Sequence, residues 1–304
     1  MNKSAMKKNI LVLVLVLLPL ALPGSVVSKS GVTIVSSLGK GMKQSPVDLG
    51  TMKTRGQTIT TTDPNFQSLG RAAYQGIAIK KLLDLAHVPR DKGVTTLGSD
   101  QYIGFISPER IEQEQVILAW RINGEKISPL EGGPLKIIFH SDDNVHGSNY
   151  TWYVNTFFAG RIKNPVLTVK AGTKERPLSF DSLAKHARTL DRHLFSLPSG
   201  NRDDYPGAMG TVKAVPLGKI VSMAGETIHS SVSLIPFAGK TITLSAETVT
   251  NFPVFIVIGM DQKPLHPVHG GPFSVVFPTE DHPGLAGRVP ENGALFFLER
   301  ITIR

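Results

Sequence analysis

The sequence predicts an α+β fold built from two tandem copies of one mixed domain. Residues 260–277, MDQKPLHPVHGGPFSVVF, repeat residues 122–139, INGEKISPLEGGPLKIIF, without a gap at a constant offset of 138 residues. The same offset relates IAIKKLLDLA from Ile77 to VPLGKIVSMA from Val215, each with apolar residues at helical spacing. Continuous apolar runs of strand length precede both copies of the longer motif. Repetition at one offset predicts an internal duplication, and the mixture of periodicities predicts the α+β class.

The first segment of the chain, residues 1–28, is predicted to be a secretory signal peptide. Three lysines precede a mostly apolar run over residues 10–22, small residues follow, and Val26-x-Ser28 fits a signal-peptidase site. An uncleaved anchor is the alternative, but an apolar run of about thirteen residues is short for a membrane span. We therefore expect a periplasmic or secreted protein with no membrane span after cleavage.

Composition excludes several classes of function. The chain has 304 residues, of which 41% are apolar, which is enough for two domains with their own cores. Residues 1–28 carry three lysines and no acid, so cleavage lowers the formal net charge from +9 to +6. The basic residues are scattered and not interleaved with aromatics, which argues against nucleic acid as a partner. The absence of cysteine excludes a disulfide framework, a thiolate nucleophile and a thiolate metal ligand.

Strands and short helices follow in the same order in each half. Residues 32–35 and 165–169 are predicted strands, and residues 46–52 are predicted to be a strand or a short helix. Residues 180–186 begin a predicted helix with Ser179 as a possible N-cap. The run YQGIAIKKLL places a predicted helix directly after a glycine, at position 76. Both halves are therefore expected to alternate strands with short helices.

A capped helix is predicted in the middle of each half. Ser107 and Ser245 are the candidate N-caps, and Glu109 and Glu247 fall in the first turn that follows. Carboxylates stabilise the positive end of a helix, so we interpret both glutamates as support for the cap and not as catalytic acids.

The end of each half is predicted to be an aromatic strand. FFAGRI begins at Phe157 and FFLERI begins at Phe296. The boundary between the halves is therefore placed near Asn164, which gives a first domain over residues 29–163 and a second over residues 164–304. The sequence RIKNPVLTV crosses this boundary without a Gly/Ser or Pro-rich linker, so the halves are expected to pack on each other.

This order of elements, with P-L-x-P-x-H-G-G-P before the closing strands, resembles the molybdopterin-binding oxidoreductase domain of the sulfite oxidase family. The resemblance covers nearly the whole mature chain, twice, and LHPVHGGPFSVVFP is its specific part. It implies a compact mixed α+β domain whose cleft holds a pterin cofactor, with molybdenum held by a cysteine sulfur. Short exported members of the family that lack this cysteine resemble each half more closely still.

The family's metal ligand is missing from both halves. The resemblance places the cysteine within residues 60–65 of the first half and residues 196–200 of the second, and neither segment contains a soft ligand. A hydroxyl cannot replace a thiolate at a soft metal, so we predict that molybdenum chemistry is lost and that no cofactor is bound. Molybdopterin retained in the second half, with its metal coordinated by the pterin alone, is the alternative.

The family's cofactor-binding side chains are also incomplete. The histidine before the Gly-Gly-Pro step is kept as His269 but is Glu131 in the first half, and the arginine five positions later is Lys136 or Ser274. The family lysine of the final strand aligns with the two Phe-Phe pairs. Neither half keeps more than one basic group at these positions, so a cofactor phosphate would lack partners.

The asymmetry between the two motifs predicts where a ligand binds. Glu131 and Lys136 are expected to neutralise each other, whereas His269 beside free backbone donors can receive an anionic or polar ligand. We therefore expect the second half to hold the functional cleft. The predicted ligand-binding residues are His266, His269, Gly270 and Gly271 in the second half, with Glu131, Gly132, Gly133 and Lys136 at the equivalent positions of the first.

Three functions from different classes remain open. The first is a non-catalytic exported binding or signalling protein, whose partner is a small molecule or another exported or membrane sensor protein. The second is a residual molybdopterin oxidoreductase. The third is a loop-histidine metal binder, whose candidate ligands are His266, His269, Asp281 and His282, with His140, Asp142, Asp143 and His146 in the first half. Tyr150, Trp152 and Tyr153 are either a ligand wall or core packing, and no G-x-S-x-G motif supports a hydrolase.

Overall fold

Four β-sheets, two in each half, organise the described part of the chain. The computed structural model describes residues 31–38, 41–113, 116–140, 145–202, 205 and 210–304. The predicted signal peptide, residues 1–28, lies outside the described residues. Six short helices connect the strands, so the predicted α+β class is confirmed.

The first half contains a sheet ordered β6-β5-β10-β1-β2, and a strand of the second half, β14 (Gly200–Asn201), extends this sheet at β6. It also contains a sheet ordered β3-β4-β7-β8, with β9 also paired to β7. In the first of these sheets β1 and β10 run parallel, while β1 and β2 form an antiparallel hairpin. The strands of the first half are β1 (Gly31–Leu38), β2 (Gly41–Asp48), β3 (Gln57–Thr62), β4 (Arg71–Ala78), β5 (Val94–Gly98), β6 (Ile103–Ile106), β7 (Val116–Ile122), β8 (Glu125–Lys126), β9 (Lys136–Phe139) and β10 (Val154–Ala159).

The second half contains a sheet ordered β12-β11-β22-β16-β17 and a sheet ordered β13-β15-β18-β20-β21 with β19 also paired to β18. Here β11 runs parallel to β22 and forms a hairpin with β12. The strands are β11 (Val166–Ala171), β12 (Lys174–Ser179), β13 (Arg188–Thr189), β14 (Gly200–Asn201), β15 (Val212–Pro216), β16 (Ser231–Pro236), β17 (Ile242–Ser245), β18 (Phe255–Met260), β19 (Lys263–Pro264), β20 (Ser274–Val276), β21 (Ala294–Leu295) and β22 (Leu298–Ile303).

The helices begin where the sequence supplies caps. Ser107, Ser179 and Ser245 accept hydrogen bonds from backbone amides three residues ahead, which confirms all three predicted N-caps. Asp48 caps the helix that follows β2, so the segment 46–52 contains the end of a strand and the start of a helix. The helices are α1 (Leu49–Lys53), α2 (Ile79–Leu85), α3 (Pro108–Glu112), α4 (Phe180–Ala184), α5 (Leu217–Met223) and α6 (Ala246–Asn251).

Two sequence predictions about local structure need correction. The helix predicted directly after Gly76 is present as α2, but it starts two residues later, at Ile79. Gly76 lies in β4 at a bulge in the pairing with β7, and this strand continues to Ala78. The two Phe-Phe pairs are also not equivalent. Phe157 lies inside β10, whereas Phe296 precedes β22.

Hydrogen bonds locate the true equivalents of the second Phe-Phe pair. The amide of Tyr153 donates to the carbonyl of Gly132 and the amide of Phe297 donates to the carbonyl of Gly270, both over 2.9 Å. Tyr153 and Phe297 also share a left-handed conformation, with φ of 52° and 57°. The residue before Phe297, Phe296, therefore corresponds to Trp152.

Four apolar clusters hold the described part of the chain together. One lies in the first half, two lie in the second, and a fourth joins residues of both, including Phe105 and Phe158 from the first half and Val268 and Phe297 from the second. Strand β14 of the second half pairs in parallel with β6 of the first. Residues 31–304 consequently form one compact unit. Within the described part of the chain, no helix has the length and apolar character needed to cross a membrane.

Candidate functional site

Both Gly-Gly-Pro motifs form the same tight turn. A 3-10 turn over Pro129–Glu131 or Pro267–His269 leads to a left-handed glycine, with φ of 87° at Gly132 and 91° at Gly270. The next glycine in each motif precedes a cis proline. A Cβ on Gly132 would lie 2.6 Å from Cγ of Trp152, so the aromatic ring packs directly on the glycine backbone.

The two turns are capped by different side chains. In the first half, the Glu131 carboxylate accepts from the amide of Ser128 at 3.0 Å and from its hydroxyl at 2.8 Å. These hydrogen bonds hold the pKa of Glu131 below its usual range. In the second half, Nδ1 of His266 takes the capping role by accepting from the Val268 amide at 3.1 Å. Glu131 and His266 are therefore partly committed to holding their turns.

Lys136 forms a buried ion pair that the sequence did not predict. Its ammonium donates to the carboxylate of Asp63, and the two side chains are 1% and 0% exposed. The ammonium also lies 4.2 Å from the ring centroid of Phe66 and 4.9 Å from that of Trp152. Burial lowers the pKa of Lys136, while the hydrogen bond and charge of Asp63 oppose that shift.

The expected neutralisation of Lys136 by the Glu131 carboxylate is therefore wrong. Lys136 reaches Glu131 only at its backbone carbonyl, over 3.2 Å, and its charge partner is Asp63. The physical reason is that Glu131 turns back onto Ser128 to satisfy the amide that begins the 3-10 turn.

His266 and His269 lie together in the second half and are 5% and 4% exposed. Their ring centroids are 6.5 Å apart, and Tyr205 contacts both, at 4.6 Å from His266 and 5.5 Å from His269. Val268 between them is fully buried in the cluster that joins the two halves. The turn therefore faces the junction between the halves and not open solvent.

Two arginines act on this histidine pair. Burial, together with the positive charges of Arg161 and His269, lowers the pKa of His266 to about 3. Burial, followed by the charges of Arg202 and Arg161, lowers the pKa of His269 to about 4. Both imidazoles are consequently neutral at pH 7. Among the described residues, the ring nitrogens of His269 make no hydrogen bond.

The remaining predicted residues lie where the turn geometry requires them. Gly133 and Gly271 each leave no room for a side chain, since an added Cβ would lie 2.1 Å from the Ile127 carbonyl oxygen or 2.0 Å from that of Leu265. Ser274, the equivalent of Lys136, is fully buried and donates to the Gly270 carbonyl at 2.8 Å. It carries no charge to the second turn.

The donors near the predicted metal position do not fit a molybdenum thiolate. The segment 60–65 contains Asp63, whose carboxylate is an oxygen ligand and is already paired with Lys136. Soft metals in thiolate sites require sulfur, and the chain has no cysteine. The residues present in the first half therefore suit an ion pair and not a metal bond.

The predicted histidine metal site does not assemble either. Asp281 lies 3.8 Å from His193, and His282 packs on the ring of Phe252, so neither joins His266. His146 bonds to the hydroxyl of Ser148, and Asp142 and Asp143 lie outside the described residues. In the described part of the chain, no three His, Asp or Glu side chains are grouped to hold a metal ion.

Four residues of this region had no role in the sequence analysis, namely Asp63, Arg161, Arg202 and Tyr205. Asp63 had a usable signal, because it occupies the segment that corresponds to the family's metal ligand. Arg161 and Arg202 lie outside the repeated motif, and each reaches the region from a connection near the junction of the halves. Position within one motif could not have revealed them.

Part of the chain is similar to a known domain family. Residues 42–141 match the family described as "Oxidoreductase molybdopterin binding domain". Among solved structures, the sulfane dehydrogenase SoxCD from Paracoccus pantotrophus is similar at 12% identity and a TM-score of 0.34, over 90% of this chain and 77% of that chain. No curated protein sequence matches. The predicted resemblance to the molybdopterin-binding oxidoreductase domain is confirmed for the matched residues.

Proposed function

We propose that this chain is a non-catalytic, exported binding or signalling protein in which two domains of the oxidoreductase type no longer perform molybdenum chemistry. The observation that carries the proposal is the ion pair of Lys136 and Asp63, which is 1% and 0% exposed and lies in the segment where the family holds its metal. Removing one partner of such a pair leaves an uncompensated buried charge, at a cost of about 3 to 5 kcal/mol. Asp63 is therefore committed to Lys136 and is not available as a metal ligand.

The second half is proposed to be the ligand-binding half. His269 has ring nitrogens without partners among the described residues, and Arg161 and Arg202 lie close enough to depress its pKa. Two guanidinium groups and two neutral imidazoles favour an anion, because arginine binds carboxylate and phosphate through paired N–H donors. The backbone donors expected to be free beside His269 are not: the amides of Gly270 and Gly271 donate to the carbonyls of Pro267 and His266, over 2.8 and 3.0 Å. We propose a small carboxylate or phosphate as the ligand, bound by the side chains at His269.

A residual molybdopterin oxidoreductase is the second candidate. It is favoured by the family match over residues 42–141 and by the two arginines, which supply more positive charge than the aligned motif positions alone. In that case the pterin phosphate would take the place of the small anion, at the same basic groups.

The two candidates differ in metal content. Purified full-length chain from a host that makes molybdopterin is analysed for molybdenum by mass spectrometry and for pterin by fluorescence after oxidation. We expect neither in stoichiometric amount. About one molybdenum per chain would overturn the non-catalytic proposal and establish the enzyme.

The anion proposal is tested separately with inorganic phosphate. We expect phosphate to raise the melting temperature of the parent, and His269→Ala to abolish that rise. Glu131→Ala, the same change of side chain at the equivalent position of the first half, is the matched control and should keep the phosphate response. A response that survives His269→Ala but is lost in Glu131→Ala would place the ligand in the first half instead.

A further inference from the structure

The first half contains an open cleft that the function proposed above does not use. It has a volume of about 420 Å³ and is lined by residues from three connections of the first half, among them Asn65, Asp100, Tyr102, Ser148, Tyr150 and Trp152. Ligand sites of proteins are usually clefts of roughly 300 to 1,000 Å³ with mostly apolar walls and a few fixed polar groups. This cleft has the size and composition of a small-molecule site.

The cleft walls are held by hydrogen bonds independent of any ligand. The hydroxyl of Tyr102 donates to the Ser148 carbonyl at 2.7 Å, and the side-chain amide of Asn65 donates to the Gly147 carbonyl at 3.0 Å. The hydroxyl of Ser148 bonds to Asn201 of strand β14 at 2.6 Å. The second half thus braces one wall of the cleft, and a bound molecule would not have to order these groups itself.

Among the described residues that line the cleft, Asp100 is the only charged one. One carboxylate oxygen accepts from the Tyr102 amide at 3.1 Å, and the residue is exposed. The ammonium of Lys136 lies against Trp152, but it is neutralised by Asp63. The cleft therefore carries a net negative charge in a chain whose formal net charge is positive.

We propose that this cleft binds an organic ammonium ion, with the apolar substituents of the ligand against Tyr102, Tyr150 and Trp152 and its charge beside Asp100. Aromatic walls attract cations through the ring quadrupole, and a carboxylate adds a direct charge interaction. An anion would be repelled by Asp100. The site is separate from the histidine pair of the second half in both position and ligand charge.

Trp152 provides a direct signal of binding, because the chain contains only two tryptophans. The other, Trp120, is 4% exposed in the core of the first half. In a Trp120→Phe background, Trp152 is the sole tryptophan, and its fluorescence reports on one wall of the cleft.

The experiment compares choline with 3,3-dimethylbutan-1-ol, which has the same shape without the charge. Both are titrated into the full-length Trp120→Phe protein, and binding is followed by fluorescence and by calorimetry on the parent. We expect choline to bind at least about tenfold more tightly than the alcohol. Equal binding of the two compounds would overturn the proposal. The absence of choline binding at concentrations up to about 10 mM, which is above a millimolar dissociation constant, would also overturn it.

Two substitutions test whether the carboxylate of Asp100 attracts the charge of choline. Asp100→Asn keeps an acceptor for the Tyr102 amide and should weaken choline at least about tenfold without changing the alcohol. Glu291→Gln makes the same change of charge at an exposed acid of the second half and should leave choline unchanged. Unaltered choline affinity in Asp100→Asn would refute the site. The phosphate response at His269 should persist in Asp100→Asn, so the two binding proposals fail independently.

Discussion

Lys136 and Asp63, 73 residues apart in the sequence, form a buried ion pair whose ammonium also lies 4.2 Å from the ring centroid of Phe66 and 4.9 Å from that of Trp152. Strand β9 supplies the cation, and the segment that follows β3 supplies the anion. Asp63 lies within residues 60–65, the segment in which the resemblance predicts the metal ligand, and its carboxylate is engaged by an ammonium of the same chain.

The ion pair should respond asymmetrically to substitution. Asp63→Leu or Lys136→Met alone is expected to lower the free energy of unfolding by about 3 to 5 kcal/mol, whereas the double variant Asp63→Leu, Lys136→Met should be close to the parent or more stable. Denaturant unfolding measures this cycle. The exposed pair of Lys170 and Glu175 is the control, and its removal should cost less than about 1 kcal/mol. Additive losses in the double variant would show that the two charges are not coupled.

A second prediction concerns the left-handed glycine beside Trp152. Gly132→Ala is expected to lose about 1 to 2 kcal/mol from the conformation at φ 87°. A further loss should follow because the new methyl group would lie 2.6 Å from the Trp152 ring. Gly172→Ala isolates the first effect, since Gly172 has φ 57° and open space around its Cβ position. Similar losses for the two variants, compared by thermal unfolding, would argue against the predicted clash.

The histidine pair predicts how stability changes with pH. The pKa of His266 is lowered to about 3 and that of His269 to about 4, so the folded state resists protonation that the unfolded state accepts near pH 6.5. The contribution of each histidine is therefore fully present above pH 6.5 and is lost as the pH falls towards 4. The expected loss is on the order of 1 kcal/mol per histidine for each pH unit in this window.

The pH prediction is tested by denaturant unfolding of the parent and of a His266→Gln, His269→Gln double variant. The measurements run from pH 4 to pH 7, a range that includes the ordinary histidine pKa of about 6.5. The double variant should show a shallower pH dependence. His229→Gln, at an exposed histidine, serves as the control and should follow the parent. Parallel curves for the parent and the double variant would contradict the low pKa values.

The junction between the halves predicts the outcome of truncation. Residues 31–163 expressed alone would expose the apolar cluster that packs on Val268 and Phe297 and would leave the edge of β6 without β14. We expect a fragment that aggregates and binds a hydrophobic dye. A soluble, cooperatively unfolding fragment, as judged by light scattering and calorimetry, would show that the first half is an independent domain.

The predicted duplication is tested separately, by superposing the two halves of a crystal structure.

The local features of the fold were largely accessible from the sequence. Ser107 and Ser245 were predicted as caps because a hydroxyl before a helix-forming run has one common use, and the structure places both there. In such cases the physical constraint lies within a few residues of the signal.

The side-chain partners were not accessible in the same way. Glu131 was assigned to Lys136 because the two are near in sequence, but Asp63 arrives from a different strand, and Ser128 takes the glutamate. Likewise Phe157 was matched to Phe296 by residue type, whereas hydrogen bonds to the glycine carbonyls identify Trp152 as the counterpart. Partner choice depends on contacts between distant segments, which periodicity and spacing do not encode.

The pairing of β14 with β6 also sets an order of events during synthesis. Strand β6 ends at Ile106, and the residues that complete its sheet, Gly200 and Asn201, follow almost a hundred residues later. At roughly 5 to 20 residues per second, the ribosome needs on the order of 5 to 20 seconds to bridge that gap. During this interval the nascent first half carries an unpaired strand edge, so a holding factor that binds extended polypeptide has a defined segment and a defined time in which to act.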